Sequence, residues 1–87
     1  MKVYVYRETN DNEVFGGELV KVFYNRQDAE DYLKARVEKF FDKSWEEVEE
    51  MFEEEDRDIY DTYVEYPNKN GFNFFAIDEH FIVGGRQ

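Results

Sequence analysis

ELVKVFYNRQDAEDYLKARVEKFFDKS, residues 18–44, decides the fold, because its hydrophobic period changes partway along. Residues 18–24 alternate: Val20, Val22 and Tyr24 fall on one face, Leu19, Lys21 and Phe23 on the other. A period of two with β-branched and aromatic residues predicts a strand. From Asn25 onward the apolar positions are Ala29, Tyr32, Leu33, Val37, Phe40 and Phe41. That three- and four-residue spacing predicts an amphipathic helix of about four turns. Asn25 suits the N-cap and Asp28 the first turn. Asp42-Lys43 breaks the pattern. Ser44 then caps a second helix, with Glu47 completing a capping box.

Working outward, KVYVY at 2–6 reads as a strand with Val3 and Val5 on one face, and ETNDNEVFGG at 8–17 as a hairpin loop. Beyond the helices, DTYVEY at 61–66 and FNFFAI at 72–77 read as strands, joined by a PNKNG turn whose Asn70-Gly71 supplies positive φ. EHFIV at 79–83 continues the last strand or forms a fifth, and GGRQ is a tail. The order is ββααββ. The expectation is one α+β domain over 1–87: an antiparallel sheet of four to five strands with two helices on one face.

Composition narrows the function. Aromatic residues make up 20% of the 87-residue chain, so rings should supply much of a small core. Cysteine is absent, which excludes disulfides and thiolate metal sites. There is no signal-like or membrane-length apolar run, and the expected location is the cytoplasm. The net charge of −11 disfavours direct binding to nucleic acid or anionic membrane and favours basic partners. This charge is local: residues 42–61 carry −9 and the other 67 only −2.

No catalytic signature stands out. Ser44, the single serine, is explained as a cap, and His80, the single histidine, has no second histidine or serine to work with. With 22 acids, carboxylate pairs arise by chance. The acidic run has no glycine for a calcium-loop turn. The expectation is a non-enzyme without metal or cofactor.

The combination of KVYVY, a polar loop, VKVFYNRQDAEDYL and FFAIDEHFIV resembles small uncharacterised acidic proteins of phages and mobile elements, of the anti-CRISPR or anti-restriction type. The matching residues are Val20 to Leu33 and Phe74 to Val83. The resemblance implies a phage origin; in size and charge such proteins are similar to anti-CRISPR and anti-restriction inhibitors, and no site residues carry over.

SWEEVEEMFEEEDRD, residues 44–58, is the candidate site, with nine carboxylates and one arginine. Taken as a helix over 44–56, it places one carboxylate per about 2.4 Å of axis, against one charge per about 1.7 Å for duplex DNA. Trp45, Val48, Met51 and Phe52 form a narrow apolar stripe. Glu46, Glu49, Glu50, Glu53 and Glu54 make the opposite band, with Glu47 beside it and Glu55, Asp56 and Asp58 extending it. Like charges at i,i+4 repel, and the C-terminal acids oppose the helix dipole. Arg26, Lys34, Arg36 and Lys39 could offset this if they reach across. The leading expectation is a nucleic-acid mimic that blocks a basic site of a host defence nuclease, a Cas effector or a restriction enzyme. Arginine grips carboxylate and phosphate with the same fork. The plainer reading is a solvated acidic face. Tyr4, Tyr6, Tyr63 and Tyr66 are secondary interface candidates. A second function class is a regulatory or assembly module that pairs a sheet edge such as 79–83 with a partner or a second copy.

Overall fold

The structure, a computed structural model, describes residues 1–10, 17–68 and 71–82. Its elements are β1 (Lys2–Asn10), β2 (Gly17–Phe23), α1 (Arg26–Phe41), α2 (Trp45–Glu54), β3 (Tyr63–Asn68) and β4 (Gly71–Phe81). The four strands form one sheet in the order β2-β1-β4-β3, every neighbouring pair antiparallel. The expected α+β class and ββααββ order are those of the molecule. Residues 79–81 continue β4 rather than starting a fifth strand. The loop residues 11–16, the turn residues 69 and 70, Val83 and the tail 84–87 lie outside the described residues.

Both helices start and stop for local reasons. Asn25 accepts from the backbone N–H groups of Gln27 (2.8 Å) and Asp28 (3.2 Å), capping α1. Ser44 and Glu47 close a reciprocal capping box on α2. Each helix ends with an aspartate in the left-handed region, Asp42 at φ 55° and Asp56 at φ 57°. Lys43 N–H then reaches back to the Glu38 carbonyl, and Arg57 N–H to that of Phe52. These are Schellman closures, which satisfy carbonyls the helix leaves orphaned. Aspartate tolerates this conformation better than most side chains do. α2 therefore stops short of the expected residue 56.

Register assigns the faces. Tyr6 stands opposite Lys21 and Ile77, and Glu8 opposite Leu19 and Phe75. Opposed residues in an antiparallel pair share a face, and this face carries the helices. The core is Tyr6, Val64 and Phe75 from the sheet, Leu33 and Val37 from α1, and Val48 and Phe52 from α2. Rings join it edge to face: Tyr6 with Tyr32 at 5.0 Å, Phe40 with Phe75 at 5.5 Å, Phe41 with Tyr66 at 5.0 Å. The other sheet face, with Val3, Val5, Val20 and Val22, carries no helix; Val20 and Val22 are 51% and 57% exposed.

One polar cluster sits inside this frame. Glu8 is 6% exposed, and its carboxylate accepts from Arg36 Nε (2.8 Å), Arg36 Nη2 (2.9 Å) and the Tyr6 hydroxyl (2.7 Å). Glu8 belongs to β1, not to the expected loop, and the clamp ties β1 to α1. Burial pushes the Glu8 carboxyl up, but the hydrogen bonds from Arg36 and Tyr6 and the Arg36 charge outweigh it and hold it low.

Candidate protein-binding surface

α2 is anchored from beneath by its apolar stripe. Val48 and Phe52 are fully buried, and Trp45 and Met51 are half-buried against the core. The Glu38 carboxylate on α1 accepts from Trp45 N–H at 2.8 Å, placing a negative charge at the positive end of α2. Lys34 Nζ lies 5.4 Å from the centre of the Trp45 ring. The box at Ser44, through its backbone N–H and its hydroxyl, holds the Glu47 carboxyl below the usual range. The corner between the helices is thereby fixed at several points.

The outward side is acidic throughout. Glu46, Glu47, Glu49, Glu50, Glu53 and Glu54 are all exposed. Among the described residues, no ion pair reaches Glu46, Glu49, Glu50, Glu53 or Glu54. The α1 cations do not reach this band. Arg26 pairs with Glu30 (2.7 Å), Lys34 with Asp61 (3.5 Å) and Arg36 with Glu8 (2.8 Å). Lys39 acts on Glu8 through its charge.

Past the helix the acids diverge. Glu55 accepts from the Tyr66 hydroxyl at 3.2 Å and lies 3.8 Å from Arg57 Nε. With these partners engaged, it contributes less to the band. Asp56 is the left-handed closing residue. Asp58 lines a cleft of about 340 Å³ with Arg57, Tyr60, Tyr63 and Glu65.

The tyrosine candidates separate. Tyr6 is wholly buried at the centre of the sheet and offers nothing to a partner, because the helix face of β1 is the even-numbered one. Tyr66 is half-buried between Phe41 and Phe52, and burial together with Glu55 raises its hydroxyl pKa. Tyr4 is half-buried on the same face as Tyr6. Tyr63 is exposed at 40%, and so is Tyr60, which the strand pattern did not single out, at 57%. The signal for Tyr60 is its spacing: it mirrors Tyr63 across the two-residue turn Asp61-Thr62.

The edge candidate 79–83 keeps its described strand residues, 79–81, which pair on one side only. β4 is an interior strand as far as Ala76; from Ile77 to Phe81 only β1 is its partner within a strand ladder. Residues 77–81 are therefore a local edge, while β2 and β3 are the outer strands of the sheet. His80 is exposed on the helix-free face, and among the described residues no group of three histidine, aspartate or glutamate side chains is arranged to hold a metal. Among the described residues, no helix is long and apolar enough to cross a membrane. No family model, curated protein or solved structure matches the chain.

Proposed function

We propose that the protein acts by binding, without catalysing a reaction: the carboxylates of α2 occupy a basic nucleic-acid-binding site on another protein. One observation carries the reading. Five exposed carboxylates lie on a helix whose inner side is locked into the core, with no cation paired to them among the described residues. A row of anions on a fixed rod offers arginines and lysines what a phosphate backbone offers them. In its concrete form the partner is a host defence nuclease, and the protein a phage-carried inhibitor of the anti-CRISPR or anti-restriction kind. The natural test compares two baits in a bacterial lysate, the native chain and one with Gln at 46, 49, 50, 53 and 54. Nucleic-acid enzymes held by the native bait alone, and released by added DNA or by salt, support the reading. Retention of the same enzymes by both baits refutes it.

A second reading has its own observation. β2 is an edge strand whose Val20 and Val22 side chains are 51% and 57% exposed. Ladder alternation turns the backbone N–H and C=O groups of Val20 and Val22 away from β1. Such an edge can pair with a second copy. A sedimentation series shows which holds: dimerisation that rises with concentration and survives high salt favours the edge, and a monomer throughout removes it.

A further inference from the structure

Beside the acidic helix the chain makes a turn that has no role in holding the band. Tyr60 and Tyr63 close it with two backbone hydrogen bonds, Tyr60 N–H to the Tyr63 carbonyl at 3.1 Å and the reverse at 3.3 Å. Residues opposed in this way project to the same side. The turn is fastened at two further points: Ile77 N–H donates to the Thr62 carbonyl at 2.9 Å, and Lys34 holds Asp61 at 3.5 Å. Two large rings are thus held exposed on a braced turn, where burial would ordinarily be the favourable outcome for them.

These rings line the cleft of about 340 Å³ together with two carboxylates, Asp58 and Glu65. That volume is at the small end of ligand sites, which run from about 300 to 1,000 Å³. Glu65 is oriented by the Tyr63 hydroxyl, which donates to its Oε2 at 2.7 Å. Its Oε1 has no protein partner among the described residues. Arg57 also lines the cleft, but its guanidinium is engaged: it lies 5.1 Å over the Tyr66 ring and its Nε is 3.8 Å from Glu55. Tyr66 is on the helix face of β3, whereas Tyr63 and Glu65 are on the other. The cleft therefore keeps aromatic faces and an excess of negative charge.

We infer that this cleft is a receptor for one arginine side chain of the basic partner. A planar guanidinium can stack on a tyrosine face and fork onto a carboxylate at the same time. A lysine ammonium can use the charge but not the plane. The inference rests on the proposed binding to a basic protein surface, and it divides the work. The α2 band draws the partner in by charge, and the cleft fixes register by seating one anchor residue, as the few dominant residues of an interface do.

The test uses the full chain, isotope-labelled for NMR, and three small probes: acetylated, amidated arginine, its lysine counterpart and its uncharged citrulline counterpart. Arginine should produce saturable shift changes at residues 58–65, with lysine weaker and citrulline silent. Tyr63→Ala should weaken arginine binding about two- to fivefold, the range of an exposed cation–π contact. Glu65→Gln, a surface change that leaves the fold intact, should weaken it as well. Equal binding of arginine and lysine, or shifts confined to α2, overturns the cleft and leaves the band standing. Arginine seated in the cleft, while a bait with Gln at 46, 49, 50, 53 and 54 still retains the same enzymes, overturns the band and leaves the cleft standing.

Discussion

Replacing Glu49, Glu50, Glu53 and Glu54 of α2 with glutamine should make the protein more stable. Glutamine and glutamate have nearly equal helix propensity, so the exchange isolates charge. Glu46 and Glu47 stay, because acids in the first turn suit the helix dipole. The substitutions relieve like-charge contacts 46/50, 49/53 and 50/54, each unfavourable by about 0.2–0.5 kcal/mol. Removing Glu53 and Glu54 from a last turn that has no basic residue adds about 0.3 kcal/mol or more for each. The gain is on the order of 1–3 kcal/mol, and each kilocalorie raises Tm by about 4–8 °C in a domain of this size. Calorimetric scans at low salt should show that rise. They should show it shrink near 1 M salt, where the Debye length is about 3 Å. An unchanged or lower Tm at low salt would refute the claim that the band is held at the expense of stability, and with it the main physical reason for treating the band as more than a wet face.

Glu8→Gln should destabilise the fold by about 2–3 kcal/mol in urea titrations, below the usual loss on breaking a fully buried pair because Arg36 stays partly solvated. The folded-state pKa of Glu8 lies below its unfolded value, so its contribution is full above the unfolded value and is lost as pH falls through the folded one. The native chain should therefore lose stability on the acid side relative to the Glu8→Gln variant, and parallel pH curves would count against the clamp. Phe52→Ala removes a ring in contact with Phe41 and Tyr66 and should cost about 3–5 kcal/mol, with helical ellipticity falling at lower urea. Ser44→Ala should cost about 0.5–1 kcal/mol in the same titrations, the low end for an N-cap, because Glu38 still holds the neighbouring Trp45 N–H.

The helices were legible because their signals are local. Asn25 and Ser44 act within three residues of themselves, and the apolar spacing of α1 names Leu33 and Val37 directly. The sheet was less legible where a partner lies far along the chain. Glu8 reads as loop until Arg36, 28 residues away, is brought beside it; only then does a carboxylate suit a central strand. β2 is apolar on both faces, so its sequence does not say whether Val20 and Val22 or Leu19 and Phe23 turn inward. The position of α1 decides it. Tyr6 was ambiguous in the same way: a tyrosine in an alternating strand is core or surface according to which face the helices cover. The acidic band was legible as charge. The Tyr60–Tyr63 cleft was not, because it depends on a turn that pairs Tyr63 with Tyr60, a residue that no strand or helix pattern included.

β4 follows every other element in the chain, yet it lies between β1 and β3 and joins the two hairpins into one sheet. Even its nearest contact with β1, Asn10 with Asn73, closes a loop of roughly 60 residues, an entropic expense of about 4 kcal/mol before any sheet is gained. The β1–β2 hairpin should therefore keep its inner edge bare until the β3–β4 hairpin has formed and docks against it. Folding should be limited by that late closure rather than by helix formation, and it should be slow for a chain of this length. Until it happens, the same strand edge that will become the middle of the sheet is open to the wrong neighbour. A carried charge of −11 keeps such half-made chains apart.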